Sequence, residues 1–153
     1  MINVVLYSPE IPQNTGNISR TCAVTGARLH IIKPIGFEIS DRTLKRAGLD
    51  YWDKLDVTYY ENYEDFLRQN ENATMYFFTA HATHSYADVT YPENVYLIFG
   101  RESVGLPKEL INENAERCLR IPMRKTLRCL NLSNSVAIAV YEVLRQNGFS
   151  GLD

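Results

Sequence analysis

The segment FGRESVGLP (Phe99–Pro107) and the later segment IPMRKTLRCLNLSNSVAIAVYE (Ile121–Glu142) decide the fold of this chain. Each follows a short apolar run with the length of a β-strand, and each carries small, amide, hydroxyl or charged side chains that a packed core does not need. In open α/β sheets, ligands bind at the carboxyl ends of the strands. Two such strand ends in one small chain therefore predict a single binding site built from both segments.

Short apolar runs alternate with helical patterns along the chain. Six runs are apolar at nearly every position, which is typical of strands covered on both faces; they are Ile2–Tyr7, Leu29–Lys33, Val57–Tyr60, Thr74–Thr79, Val95–Phe99 and Cys118–Ile121. Helical spacing, caps and terminal glycines predict helices at Asn14–Thr25, Asp41–Ala47, Tyr63–Asn70 and Ser133–Asn147, and a short one beginning near Gly105–Pro107. The alternation predicts the α/β class, as one domain over residues 1–153 with a mostly parallel sheet flanked by helices.

The composition is that of a soluble globular domain. The chain has 153 residues, of which 45% are hydrophobic and 22% charged. Its apolar runs are far shorter than the roughly 20 residues of a membrane span, and its first residues lack the basic start of a signal peptide. Three cysteines without a CxxC pair favour reduced thiols and a cytoplasmic location.

The charge is unevenly distributed. The formal net charge is −2, which by itself argues against binding to nucleic acid. Between Arg117 and Tyr141, however, there is no acidic residue, and five basic residues stand close together: Arg117, Arg120, Arg124, Lys125 and Arg128. Such a cluster can bind phosphates, or it can be a solvated basic loop, and charge alone leaves both interpretations open.

A third segment, PEIPQNTGNISR (Pro9–Arg20), follows the first strand. Its prolines stiffen the loop, and Asn14 and Thr15 are expected to cap the helix that starts there. At about 100° per residue, Arg20 lies on the side of the helix away from Ile18. It is either a solvated arginine or one directed at a phosphate, a ribose or a partner subunit. The spacing of a dinucleotide fingerprint or a P-loop is absent.

Other residues suggest a ligand site without a metal. Gly100 permits a close approach of the backbone after a buried strand, and Glu102 stands where its carboxylate can accept hydrogen bonds. Exposed backbone near Cys129 above an apolar floor suits a flat heteroaromatic ring such as adenine. His81 and His84 form an HxxH pattern but lack a convincing third ligand, so we expect no metal site. Nothing resembles the GxSxG motif of a hydrolase.

The order of the motifs NTGNISR, FGRESVGLP and IPM…LNLSNSVAIAVYE resembles the SpoU branch of the SPOUT RNA methyltransferases. The similarity runs from Met1 to about Gly148, in particular to small single-domain tRNA (cytidine/uridine-2′-O-)methyltransferases. It implies an α/β knot, with the C-terminal segment threaded through a loop as a trefoil, which ordinary topology rules would not predict. It also implies a homodimer that transfers a methyl group from S-adenosyl-methionine, without a metal, to a ribose 2′-hydroxyl, with nucleotide 34 of leucine tRNAs as the expected target.

The resemblance also implies roles for particular residues. The catalytic group would consist of Arg20, Asn14, Glu102 and Ser133. The cofactor would bind against Phe78, Thr79, Gly100, Ile121, Met123, Cys129 and Leu130. RNA or the second subunit would meet Arg124, Lys125, Arg128 and Tyr141. Relatives commonly have serine at the position of Cys129, which matters only if the hydroxyl rather than the backbone contacts the cofactor.

Two alternatives remain open at this level. One keeps the chemistry and changes the acceptor, to ribosomal RNA or to another position of tRNA. The other is a non-catalytic RNA- or nucleotide-binding module on the same fold. The presence of Asn14, Arg20, Glu102 and Ser133 together favours an enzyme.

Overall fold

A parallel sheet forms the centre of the fold. The computed structural model describes residues 1–40, 42, 52–127 and 129–153. Within these residues the sheet has seven strands, namely β1 (Ile2–Tyr7), β2 (Arg28–Ile32), β3 (Val57–Tyr60), β4 (Met75–Phe78), β5 (His84–Ser85), β6 (Val95–Phe99) and β7 (Cys118–Arg120). Their order across the sheet is β3-β2-β1-β6-β4-β7-β5, and every described strand pairing is parallel. The predicted parallel sheet is confirmed.

The strand that the sequence did not predict is β5. It has two residues, too few to show any periodicity, and it pairs with β7 through His84 opposite Leu119. The backbone N–H of Tyr86 then donates to the carbonyl of Arg120 at 2.9 Å. β5 is thus the edge strand of the sheet, and pairing with the backbone of β7 rather than a sequence pattern creates it.

The described residues include four α-helices, of which the first three connect strands and the last follows β7: α1 (Pro12–Thr25), α2 (Tyr63–Gln69), α3 (Lys108–Glu113) and α4 (Leu132–Gln146). Short 3₁₀ turns occur at Trp52–Lys54 and Ala115–Arg117. The helix predicted at residues 41–47 falls outside the described residues, apart from Arg42. None of the helices in the described ranges has the length and apolarity needed to cross a bilayer.

Helix α1 starts earlier than the sequence predicts. Its first helical residue is Pro12, and the capping position, Ile11, makes no side-chain capping bond. The expectation that Asn14 and Thr15 cap this helix is therefore wrong, since both lie buried within its first turn. Proline suits the first helical position because its φ is already helical and it has no N–H to satisfy. At the other end Gly26 adopts the left-handed conformation (φ 74°) expected of a helix-ending glycine.

The helices cover both faces of the sheet. On one face α1 and α4 pack through Ile18, Val140 and their neighbours onto strand residues such as Leu97. On the other face, α2 and α3 pack through Phe66 and Leu110 onto a second cluster of strand side chains. Alternate residues of each strand enter the two clusters, which explains why the strands are apolar at nearly every position.

A buried cluster of polar side chains lies on the face of the sheet that α2 covers. His30 of β2 is 5% exposed, and its ring nitrogens bond to the hydroxyl of Tyr60 (2.9 Å) and to Oδ1 of Asn3 (3.0 Å). Asn70 donates to that same tyrosine oxygen and accepts from the hydroxyl of Tyr96. Burial lowers the pKa of His30 from 6.5 to about 4. The imidazole is therefore neutral in the folded protein at pH 7.

We expect the protein to lose stability in acid through His30. The unfolded chain takes up a proton near pH 6.5, whereas the folded chain does so only near pH 4. The free energy of unfolding should therefore fall by up to about 3 kcal/mol as the pH is lowered between these values. Urea unfolding at pH 7, 5.5 and 4 measures this change. The variant His30→Gln can keep both hydrogen bonds without titrating, and an undiminished pH dependence in this variant would contradict the assignment.

Candidate functional site

A cavity of about 770 Å³ opens at the carboxyl ends of β4, β6 and β7. This volume lies within the range of small-molecule and cofactor sites. All residues predicted to contact a cofactor line this one cavity: Phe78, Thr79, Gly100, Ile121, Met123, Cys129 and Leu130. The fold thus brings together residues from three strand ends and from the loop before α4.

The floor of the cavity is apolar. Phe78 and Phe99 stack with ring centroids 4.7 Å apart, and Leu119 and Leu106 add aliphatic surface from β7 and from the loop after β6. The backbone N–H of Thr79 donates a hydrogen bond to the carbonyl of Leu119 at 3.0 Å. An apolar floor of stacked rings and aliphatic side chains suits a flat ring.

The segment FGRESVGLP folds into a tight turn over Gly100. Arg101 and Gly105 exchange backbone hydrogen bonds of 3.2 and 2.9 Å, and Gly105 has a left-handed φ of +70°. A Cβ added to Gly100 would lie 2.2 Å from both the carbonyl carbon of Gly105 and the nitrogen of Leu106. Because these atoms are backbone, any side chain at position 100 would displace the turn that forms one wall of the cavity.

Glu102 attaches this turn to the start of α1. Its carboxylate accepts hydrogen bonds from the backbone N–H groups of Glu10 (2.9 Å) and Ile11 (3.0 Å). It also accepts one from the side-chain amide of Asn14 at 3.3 Å. A carboxylate near a helix N-terminus is favourable both for the free N–H groups and for the helix dipole. Glu102 does accept hydrogen bonds, as its position suggested, and the donors come from the segment after β1.

Asn131 continues this chain of hydrogen bonds to α4. Its side-chain nitrogen donates to Oδ1 of Asn14 at 3.0 Å, and its Oδ1 accepts from the hydroxyl and, at 2.9 Å, the backbone N–H of Ser133. Asn131 is also the capping residue of α4. Thus Asn14, Glu102 and Ser133 belong to one hydrogen-bonded chain. The sequence analysis did not count Asn131 as a site residue, although an asparagine just before a long helix marks it as a cap.

The remaining predicted residues that the structure describes do not line the cavity of their own chain. Arg20 is exposed on α1, and Tyr141 is 47% exposed on α4; neither lines the cavity. Arg124 and Lys125 are exposed in the loop that follows β7, and Arg128 lies outside the described residues. The four described side chains are exposed at the surface, where a macromolecular partner rather than a small ligand in the cavity would meet them.

Of the two histidines in the HxxH pattern, His81 lines the cavity and His84 lies in β5. In the part of the chain that the structure describes, no three His, Cys, Asp or Glu side chains come together in a way that could hold a metal ion. The hydroxyl of Thr79 instead accepts a bond from the backbone N–H of His81 at 3.2 Å. The pattern therefore spans the turn that follows β4, which holds His81, and the strand β5, which holds His84.

The parallel sheet and the cavity at its carboxyl edge define an α/β protein with a ligand site at its strand ends. The profile of the SpoU rRNA Methylase family matches residues 1–141. A tRNA (cytidine(34)-2′-O)-methyltransferase from Escherichia coli is 47% identical, over 99% of this chain and 97% of that protein. The chain therefore belongs to the SpoU methylase family and is a methyltransferase.

Solved structures agree with this assignment. One, described as giving structural insights into the 2-OH methylation of C/U34 on tRNA, has a TM-score of 0.91 and 43% identity, covering 97% of both chains. Another, an AdoMet-bound rRNA methyltransferase from Sinorhizobium meliloti, has a TM-score of 0.82 and 28% identity, covering 94% of this chain and 56% of that one. The fold is thus shared with methyltransferases that act on different RNAs.

We expect Asn131→Ala to lower the free energy of unfolding by about 1–2 kcal/mol, because it removes a helix cap and the link to Asn14. Chemical denaturation measures the change. The matched control is Asn134→Ala in the same helix turn, since Asn134 contributes its backbone N–H to the cap and should change stability far less. Equal decreases in the free energy of unfolding in the two variants would show that the side chain of Asn131 does not stabilise the fold.

Proposed function

We propose that this chain transfers a methyl group from S-adenosyl-methionine to the ribose 2′-hydroxyl of nucleotide 34 (C or U) of tRNA, with leucine tRNAs as the expected acceptors. The observation that carries the proposal is the hydrogen-bonded chain Glu102–Asn14–Asn131–Ser133, which joins all three motif segments at one cavity. The choice of nucleotide is supported by the E. coli relative, which is named for that reaction and is similar over nearly its whole length.

The cavity fits S-adenosyl-methionine in size and in chemistry. The stacked pair Phe78–Phe99 offers an apolar surface for adenine, and peptide groups near Ile121 and Leu130 surround it. Nε of Arg101, on the cavity wall, is buried and has no hydrogen-bond partner among the described residues, so it can still bind an anionic group. When bound, the cofactor supplies an electrophilic methyl group on its sulfonium.

The protein then has to align and activate the acceptor hydroxyl. A ribose hydroxyl is a weak acid, so its proton must be removed or its developing charge stabilised as it attacks. We assign this role to Arg20. Because a guanidinium stays protonated in proteins, it stabilises an oxyanion more readily than it accepts a proton. Asn14, Glu102 and Ser133 act by holding the loops around the reacting groups.

We further propose that two copies of the chain build each active site. Arg20 lies outside the cavity of its own chain. It can therefore act on a bound ribose in two ways: at the cavity of a second subunit, or on RNA that extends from its own cavity to it. Exposed apolar side chains on the paired helices α1 and α4 support a homodimer: Val24 is 57% exposed and Tyr141 47%. Such a dimer would bring Arg20 of one subunit to the cavity of the other.

The basic loop after β7 is our proposed contact for tRNA. Arg124 and Lys125 are exposed there, and Arg117 and Arg120 are exposed just before it. Phosphate contacts of this kind weaken steeply with salt. With a net charge of −2, the chain should bind RNA through this local cluster rather than through its overall charge. A tRNA substrate also agrees with the expected cytoplasmic location.

The trefoil knot implied by the resemblance is our proposal for the path of the C-terminal segment. After β7 the chain passes the cavity at Leu130, bonds to Asn14 through Asn131, and enters α4, which packs on α1. This path carries the chain from near one edge of the sheet back to its centre. It supports a segment threaded past the turn after β6, with residues 1–153 acting as one methyltransferase domain.

We expect Gly100→Ala to abolish cofactor binding, because its Cβ would meet the backbone 2.2 Å away. Calorimetric titration with S-adenosyl-methionine measures the affinity. Gly148→Ala is the matched control. Gly148 has no atom within 4 Å of an added Cβ and does not line the cavity, so this variant adds the same methyl group without a clash and should bind the cofactor normally. Normal binding by Gly100→Ala would contradict the proposed cavity.

The reaction is tested by incubating the protein with labelled S-adenosyl-methionine and, separately, total tRNA and ribosomal RNA, and by mapping the labelled nucleotide. We expect label at nucleotide 34 of leucine tRNAs. Label in ribosomal RNA alone would favour the first alternative acceptor. No label in any RNA, with intact cofactor binding, would favour a non-catalytic binding module.

The variant Arg20→Ala tests the proposed activating group in the same assay. We expect it to bind S-adenosyl-methionine and to dimerise like the parent protein but to lose methyl transfer by at least 100-fold, the order expected for losing one oxyanion-stabilising donor. Lys54→Ala, which also removes one cation from the chain, should keep full activity. Normal transfer by Arg20→Ala would exclude the role.

A further inference from the structure

We propose that Glu10 is a positioning residue for the methyl-transfer site: through Ser103 it holds the rim of the cofactor cavity in its binding-competent position. The proposal rests on the function proposed above. Glu10 stands in the loop between β1 and α1 and does not line the cavity, whereas Ser103 does. Any effect of Glu10 on the cavity must therefore act through another residue.

The loop before α1 and the turn after β6 each supply a carboxylate that accepts hydrogen bonds from the other. Oε1 of Glu10 accepts hydrogen bonds from the backbone N–H of Ser103 at 3.1 Å and from its hydroxyl at 2.7 Å. In the opposite direction, the carboxylate of Glu102 accepts from the backbone N–H groups of Glu10 and Ile11. Each loop thus supplies one carboxylate and backbone N–H donors to the other. Two reciprocal attachments prevent the turn after β6 from rotating against the loop before α1, which a single attachment would allow.

Glu10 is also packed against Gly36. The N–H of Gly36 donates to the carbonyl of Pro9 at 2.9 Å, and a Cβ on Gly36 would lie 3.0 Å from the Cα of Glu10. The hydrogen bonds from Ser103 hold the pKa of Glu10 below its ordinary value of 4.5, with a smaller contribution from Arg101. The carboxylate is therefore ionised at neutral pH and accepts strong, charge-assisted bonds.

Glu10 contacts the exposed tip of this rim. Ser103 and Val104 form the outer tip of the turn after β6, and Val104 is 72% exposed. The backbone bonds between Arg101 and Gly105 close the base of this turn, and Glu102 fixes one side of it. Without Glu10, the N–H of Ser103 would lose its acceptor and the tip could move relative to the cavity. A moving rim binds a ligand less tightly because it must be ordered on binding.

The test compares Glu10→Ala, Glu10→Gln and Ser103→Ala with the parent protein. We expect Glu10→Ala to weaken S-adenosyl-methionine binding by about tenfold, the effect of one strong hydrogen bond. Glu10→Gln, which keeps one acceptor oxygen, should recover most of this loss. Ser103→Ala keeps the backbone donor and should weaken binding by about threefold. Calorimetric titration gives the affinities, and hydrogen exchange of the amides at residues 102–106 reports the motion of the rim directly.

The control variant is Glu61→Ala, which also removes one exposed carboxylate, the partner of Lys33 in an ion pair, and should leave affinity and exchange unchanged. In turnover assays we expect Glu10→Ala to raise KM for S-adenosyl-methionine more than it lowers kcat. Unchanged affinity and exchange in Glu10→Ala would overturn the positioning role, as would a failure of glutamine to rescue. Absence of methyl transfer by the parent protein would overturn the proposed function instead, and the exchange comparison would still test Glu10.

Discussion

The carboxylate of Glu102 is the interaction on which the site depends. It accepts two backbone N–H groups and one side-chain amide from the segment that begins α1, and Asn14 passes the connection on to Asn131 and α4. Three chain segments far apart in sequence thereby become one rigid wall. Each bond is partly exposed and contributes only about 1 kcal/mol, so their combination in one chain, rather than any single bond, holds the wall in place.

The sheet makes that chain of bonds possible. Because every described pairing is parallel, the carboxyl ends of β4, β6 and β7 meet at one edge, and the order of the strands sets β6 beside β1. The turn after β6 therefore lies against the loop that starts α1. Its tightness comes from Gly100, since a Cβ there would overlap the backbone of Gly105. Fold and site are thus two consequences of the same strand order.

Much of this could be predicted from the sequence because it depends on local patterns. The strands β1 and β6 were predicted at their observed bounds, since both are long apolar runs. The cap of α1 was predicted wrongly, because Pro12 starts the helix without any capping side chain. The bond between Asn131 and Asn14 could not be predicted, because partners 117 residues apart leave no local signal. Strand β5 could not be predicted because its two residues are too few to show a period.

The sequence by itself determined the parallel α/β class, the segments that carry polar groups at strand ends, and through its motif order the methyltransferase family. It could do so because apolar periodicity and short motifs are local properties of a chain. Only the tertiary structure decided which polar groups meet: that Glu102 binds the start of α1, that Glu10 binds Ser103 in return, and that Arg20 lies outside its own cavity. Hydrogen-bond partners depend on distance and direction in space, and those are set only when the strands have paired and the helices have packed.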